Sequence, residues 1–337
     1  MKEKLRMGVI GCGFFGQKHA DIIQQIGNSE LVAVSDIQPE TAKECGERFN
    51  VNWYTDHNEM LEKEQIDAVS ICVSEAYHLQ PALDAIKHKK DVLIEKPIAQ
   101  NAQEAEQIKR AAEENNVRLM VAHVCEFDGR YRYTADAIER GELGDIISLY
   151  LKRSTNQATA ARLKGKVSIF HYMGVHDFEA ALLFAKPALP VKVYSQWVAK
   201  KNVSFGAQDT VFSTITFDNG IVACIQLCWA LPDNEALGFV AWAEVVGTKG
   251  VSYIDVKNQG LEMFSEQGVS YPDLTYWPEY FGHTAGKVRE EIQHFVDCTL
   301  SGEPYLVDTN LAIEAVRTID ACFESLKTGM PVEIKRS

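Results

Sequence analysis

The first 123 residues alternate two kinds of hydrophobic pattern. Short apolar runs at 6–10, 31–35, 51–54, 67–73, 91–95 and 117–122 read as strands, and the segments 14–26, 39–49, 57–63, 79–89 and 101–115 repeat apolar positions at helical spacing. Asp56 with Glu59 marks the start of one helix as a capping box. Strand and helix in regular alternation imply a parallel sheet with helices on both faces, an α/β Rossmann-type domain. A helix near 129–140, closed by Gly141, ends the alternation. Strands are then expected at 146–153, 191–199, 209–217, 221–229, 239–246, 251–256 and 261–265, with Asp218-Asn219-Gly220 as a hairpin turn and further turns at 247–250 and 257–260. Helices at about 284–300 and 309–328 finish the chain. Strands joined this way predict an α+β domain with a large, mainly antiparallel open sheet. The pattern divides the chain into 1–123 and 124–337. Helices cover one face of such a sheet, and the free face predicts pairing with another copy, a homodimer or homotetramer through the C-terminal sheet.

In a parallel sheet, ligands sit beyond the C-terminal ends of the strands. The first strand runs into Gly11-Cys12-Gly13-Phe14-Phe15-Gly16, the pattern G-x-G-x-x-G. Gly11 permits the tight turn, Gly13 lets the backbone approach a pyrophosphate, and Gly16 lets the next helix pack closely on the strand. The second strand ends at Asp36, about 20 residues beyond Gly16, where a carboxylate meets the adenosine ribose hydroxyls. Asp36 would repel a 2′-phosphate and Ile37 follows it in place of an arginine, so NAD is favoured over NADP. The same strand-end rule gathers Gly11, Gly13, Phe14, Phe15, Gly16, Asp36, Ser74, His78, Glu95 and Lys96 as cofactor contacts, with His123 on the rim.

Glu95-Lys96-Pro97 follows the apolar strand Val92 to Ile94, an unusual place to leave a lysine. There an ammonium can donate to a substrate hydroxyl and hold the oxygen on which charge develops. His176 opens the apolar helical run Phe178 to Phe184, and a secondary alcohol gives up a hydride only as its hydroxyl proton is taken by a base titrating near neutrality. His123 and His171 are further candidates for that base.

Composition narrows the partners. The 337 residues carry a formal net charge of −13, which argues against nucleic acid, whose binding depends on Lys and Arg neutralising phosphates. No apolar run approaches the roughly 18 residues of a membrane span, and no apolar signal core follows Met1-Lys2-Glu3-Lys4, so a cytoplasmic protein without membrane contact is expected. The eight cysteines form no C-x-x-C pair and are read as reduced, with Cys224 and Cys228 on one strand face, so no metal site is expected. A cationic stretch with Arg153, Arg162, Lys164 and Lys166 is a solvated loop by default, or a grip on cofactor phosphates or an acidic substrate. Trp229 and Trp242 are core residues by default, or a face for a sugar ring.

Over nearly its whole length the sequence resembles the glucose-fructose oxidoreductase and inositol dehydrogenase family (Gfo/Idh/MocA). The resemblance runs through Gly8 to Gly16, Asp91-Val92-Leu93-Ile94-Glu95-Lys96-Pro97, Gly141-Glu142-Leu143-Gly144, Gly174-Val175-His176-Asp177, Glu244 to Gly250 and Gly329-Met330-Pro331-Val332. It implies an NAD-dependent dehydrogenase transferring a hydride between the nicotinamide and a secondary alcohol of a sugar, sugar derivative or cyclitol. It also implies that Lys96 binds and polarises the hydroxyl, that Glu95 lies beside it, and that His176 belongs to the catalytic centre. The family usually has Asp four residues before this His; here it is Tyr172, which can supply a hydroxyl instead. The expected catalytic set is Lys96, His176 and Tyr172, and the expected substrate contacts are Lys96, His123, Arg153, Tyr172 and His176, with Lys96 and His176 beside the same nicotinamide ring. The departure at Tyr172 motivates a competing reading, an NAD-binding sensor or regulator without catalysis. A reductase of a keto sugar or an imine is the other alternative.

Overall fold

The structure, a computed structural model, describes residues 3–233, 239–266 and 268–336. These fold as two units, one made of 1–127 with 275–313 and the other of 128–274 with 314–337.

In the first unit the expected alternation is present: β1 (Leu5–Ile10), α1 (Phe14–Gln25), β2 (Ser29–Ser35), α2 (Pro39–Phe49), β3 (Asn52–Tyr54), α3 (His57–Lys63), β4 (Ala68–Ile71), α4 (Leu79–Lys87), β5 (Asp91–Glu95), α5 (Ala102–Asn115) and β6 (Leu119–Ala122). The six strands lie in the order β3-β2-β1-β4-β5-β6, every pair parallel. That order reverses between β1 and β4, the switch point at which a doubly wound sheet opens a crevice for a dinucleotide. The helix boundaries follow local chemistry. Asp56 accepts from Asn58 N–H at 2.8 Å to start α3, and Asn101 accepts from Glu104 N–H at 2.9 Å to start α5. Asn50 and Asn116 close α2 and α5 with φ of 54° each, a left-handed conformation that asparagine tolerates.

The sequence pattern groups the helix near 284–300 with the second half, but Lys287–Ser301 packs within the first unit. Its stripe of Val288, Ile292, Phe295 and Val296 is buried in one core with Met7 and Val9 of β1 and Ile22, Ile23 and Ile26 at the end of the first helix. Fully burying each such large side chain contributes roughly 1.5–3 kcal/mol, so the apolar stripe decides which unit the helix joins. The preceding residues join it: Trp277 meets Phe15 edge-on at 5.4 Å between ring centres, Thr284 Oγ1 donates to Asp21 at 2.6 Å, and Lys18 pairs with Glu279.

The second unit contains α6 (Gly129–Glu139), β7 (Ile146–Asn156), α7 (Gln157–Leu163), α8 (Val175–Ala185), β8 (Pro190–Val198), β9 (Thr210–Phe217), β10 (Val222–Leu231), β11 (Phe239–Gly247) and β12 (Val251–Asp255), after which the chain supplies α9 (Lys287–Ser301) to the first unit and α10 (Thr309–Thr328). Its sheet has seven strands, with Val332–Glu333 on the edge beyond β8. Within it only β7 pairs with β10 in parallel; the other neighbours are antiparallel. The Asp218-Asn219-Gly220 turn joins β9 to β10, with Gly220 at φ 91°. The strand expected at 261–265 shortens to Met263–Ser265 and pairs with Gly268–Ser270 in a separate hairpin. α8 is buried nearly all round, as its run of apolar residues requires. Among the described residues no helix is long and apolar enough to cross a membrane. All eight cysteines are unpaired thiols.

Candidate functional site

The first unit builds a dinucleotide cradle. Gly11 turns at φ 95°, and a Cβ there would lie 2.7 Å from Val73 N. A Cβ on Gly16 would fall 1.8 Å from Gly11 O, so no other residue permits this contact between α1 and the turn. Gly13 has nothing within 4 Å of its missing Cβ, which is the open approach a pyrophosphate needs. Gly13 is also the N-cap of α1 and caps it with no side chain, so the helix's first N–H groups are left for an anion. At the end of β2, Asp36 is half-buried; Oδ2 accepts from Cys12 N–H at 2.8 Å and Oδ1 from Gln38 N–H at 2.9 Å. Each oxygen keeps a second lone pair for a ribose hydroxyl. These residues fit NAD, and the exposed Ile37 offers no charge to a 2′-phosphate. Phe14 is exposed at the lip and Phe15 packs on Trp277.

The other first-unit candidates cluster at neighbouring strand ends. Ser74 is exposed and donates to Glu75 at 3.0 Å. His78 is buried, its Nδ1 2.8 Å from Pro97 O and its Nε2 3.1 Å from Val73 O. Burial lowers its pKa, so it is neutral near pH 7 and ties the Lys96-Pro97 turn to the end of β4. Lys96 is half-buried one residue beyond β5. His123, just past β6, is fully buried, and burial with the nearby Lys96 charge takes its pKa down to about 3. It is therefore a neutral neighbour of Lys96 rather than a base working near neutrality.

Sequence reasoning missed the layer beneath Lys96. His19 is fully buried, with Nδ1 2.7 Å from Ser70 Oγ and Nε2 3.2 Å from Glu95 Oε1. The second contact is an ion-pair distance rather than an aligned hydrogen bond. Glu95 Oε2 accepts from the main-chain N–H of Lys96 at 3.2 Å. Burial opposes a charge on His19, and its contacts with Cys72 and with the Glu95 carboxylate act against burial and raise its pKa. Burial likewise opposes the Glu95 carboxylate, and His19 and Lys96 outweigh it. Glu291 of α9 is buried in the same place, and burial plus the nearby Glu95 push its carboxyl well above the usual range. A signal was present in the sequence: His19 lies on the apolar stripe of α1 with Ile22, Ile23 and Ile26, and Glu291 on that of α9 with Val288 and Ile292.

The second unit holds the remaining candidates. The sequence has His171 to Asp177 opening an apolar helix with His176 in its first turn; that helix begins at Val175, and Phe170–Gly174 coils ahead of it as a wide π-helical turn that runs into α8. Gly174 packs closely on β10 here, since a Cβ there would sit 2.4 Å from Leu227 Cδ1. Such wide turns recur at functional sites because they re-aim side chains. Tyr172 and His176, four residues apart and both half-buried, share one face of the coil. Arg162, at the end of α7, donates to Tyr172 Oη at 2.9 Å. The stretch expected as a loop after β7 thus contains a helix whose last turn meets Tyr172. Arg153 points to the covered face of the sheet, where its Nε lies 2.8 Å and its Nη2 3.3 Å from the two oxygens of Asp177. Both side chains are buried. Trp229 is a core residue, and Trp242 lies on the other sheet face beside Tyr150 and Tyr253.

A six-stranded doubly wound sheet with this glycine turn and acidic strand end defines an NAD-binding unit. The model for the oxidoreductase family's NAD-binding Rossmann fold matches residues 5–123, and that for the family's C-terminal alpha/beta domain matches 135–334. The chain belongs to the Gfo/Idh/MocA oxidoreductase family, and NAD is its cofactor. It is 26% identical to the scyllo-inositol 2-dehydrogenase (NAD(+)) of Bacillus subtilis over 99% of this chain and 97% of that protein. It is also 26% identical to the myo-inositol 2-dehydrogenase of Thermotoga maritima, over 89% and 90%. Among solved structures, scyllo-inositol dehydrogenase from Lactobacillus casei with bound NAD(H) and scyllo-inositol shares the fold, with a TM-score of 0.85, 20% identity, and coverage of 98% of this chain and 99% of that one.

Proposed function

We propose that the protein is an NAD-dependent dehydrogenase acting on a secondary alcohol of a sugar, sugar derivative or cyclitol. The observation that carries this reading is Lys96, an ammonium held at the end of β5 in the same row of strand ends as the glycine turn and Asp36. The inositol dehydrogenases among its relatives support the substrate class. NAD, when bound, supplies the hydride acceptor. Lys96 donates to the reacting hydroxyl and holds its oxygen as the C–H bond gives up a hydride. His176 takes the hydroxyl proton, so the alcohol leaves as a ketone with its electrons balanced. Tyr172, steadied by Arg162, orients the ring. Supplying NAD with scyllo-inositol, myo-inositol and a panel of aldoses and sugar acids is expected to produce NADH absorbance at 340 nm with at least one of them. NAD binding without NADH formation on the whole panel overturns the dehydrogenase reading in favour of a sensor.

We also propose that two or more copies join through the free face of the seven-stranded sheet. Direct strand partners place Phe212, Gln226, Lys152 and Trp242 in one row of that face, and Cys224, Tyr150, Glu244 and Tyr253 in the next. Phe212 and Tyr253 are exposed. A sheet face that exposes aromatic side chains such as Phe212 and Tyr253 suits a second copy of itself. Light scattering on the eluting protein is expected to give a multiple of 37.7 kDa, lowered by Phe212→Lys with Tyr253→Lys; a monomer in the unmutated protein contradicts it.

A further inference from the structure

We propose that His19, through Glu95, is a positioning residue for Lys96: the buried pair fixes the lysine's main chain and sets how strongly its ammonium keeps its charge. This rests on reading Lys96 as the group that holds the substrate oxygen, and the test below separates the two.

The geometry is a chain of three contacts through three elements. Ser70 of β4 meets His19 Nδ1 at 2.7 Å, His19 of α1 meets Glu95 Oε1 at 3.2 Å, and Glu95 Oε2 accepts from Lys96 N–H at 3.2 Å. Both carboxylate oxygens of Glu95 are thereby engaged, one by an imidazole and one by the main chain of the lysine it precedes. Held at both oxygens, Glu95 acts as a fixed negative neighbour of Lys96.

The groups facing this pair come from every element around it. Ser70 and Cys72 flank His19 from the end of β4, with Ser70 Oγ and Cys72 Sγ 3.4 Å apart. His78 holds Pro97 O, and His123 and Glu126 follow β6. Glu291 comes from α9, and its interactions include Glu95, His19, Glu126 and Lys96. Burial lowers the pKa of His78 and His123 and raises that of Glu291, whereas His19 is held above and Glu95 below its ordinary range, so the His19–Glu95 contact sets two opposite influences beside Lys96. This makes the two halves of the pair pull Lys96 in opposite directions. Removing the Glu95 charge makes the ammonium easier to deprotonate. Removing the His19 charge leaves Glu95 uncompensated beside Lys96 and makes it harder.

The test is competitive acetylation of the full-length, NAD-free protein by acetic anhydride across pH 7 to 11, with the Lys96 peptide quantified by mass spectrometry. Lys96 is partly exposed, so the reagent reaches it. In Glu95→Gln the pH of half-maximal labelling is expected to fall, and in His19→Gln to rise, each on the order of one pH unit. A role limited to packing moves neither in this opposed way. Shifts of the same sign, or both below about 0.2 unit, overturn the proposal. If His19→Gln does not fold, Ser70→Ala keeps the ring and removes its oxygen partner, with a smaller rise expected and no rise overturning the proposal. Opposed shifts in a protein that turns over no alcohol uphold the His19 device and discard the dehydrogenase reading. Where turnover is found, the alkaline limb of kcat/KM moves with the labelling in both variants.

Discussion

Replacing Lys96 with methionine is expected to lower kcat by about 10²- to 10⁴-fold while changing NAD affinity less than about tenfold. Methionine keeps the length and apolar stem of the side chain and removes only its charge and donors. The glycine turn and Asp36 that hold the dinucleotide are left as they are, with Asp36 still fixed by Cys12 N–H and Gln38 N–H. The loss therefore appears in turnover and not in nucleotide binding, measured by NADH production against a fluorescence titration of NADH. Equal losses in both make Lys96 a cofactor ligand only, and unchanged turnover removes it from the chemistry.

The second large effect is on stability. Arg153 and Asp177 form a buried two-point ion pair, and Arg153→Met leaves the carboxylate without its counter-charge in a site from which water is excluded. Breaking such a pair costs about 3–5 kcal/mol, read as a lower midpoint in urea. The cost depends on pH in a definite direction. Burial already raises the Asp177 pKa against the pull of Arg153, and without the arginine it rises further. The native variant then binds more protons than the unfolded chain, where Asp titrates near about 3.9, so its stability falls as pH rises through that window. Arg153→Met is expected to be more stable at pH 5 than at pH 8. A midpoint within about 1 kcal/mol of the unmutated protein at pH 8, with no such slope, contradicts this account. Arg153, expected as a substrate contact, is buried against Asp177, the residue next to His176 in sequence.

The cradle was legible because it is local. Strand, glycine turn, helix and acidic strand end lie within the first 36 residues, and each glycine has a backbone reason that spacing alone exposes. Lys96 was legible for the same reason, a charged residue at the end of an apolar strand. The rest depended on contacts far apart in sequence. Nothing in the pattern of Lys287–Ser301 says which core its apolar stripe joins, and only the packing on β1 and α1 assigns it. The parallel pairing of β7 with β10 is a long-range choice between two strands of ordinary amphipathic character. At the π-helical turn Phe170–Gly174, Gly174 approaches Leu227 closely, a contact across 53 positions of chain. His19, Glu291 and Asp177 share one readable mark, a titratable residue on a helix face that must be buried. Their partners Glu95 and Arg153 are set by the fold.

The proposed mechanism asks one ammonium, Lys96, and one imidazole, His176, to serve a single hydride transfer. A double-mutant cycle on NADH production with Lys96→Met, His176→Ala and the combined variant tests it most directly. Groups that act together on one transition state give strongly non-additive losses, so the combined variant is predicted to lose scarcely more turnover than the worse single variant, itself down by about 10²- to 10⁴-fold. Losses that multiply in full would mean that the two residues act independently, and the shared centre would have to be abandoned.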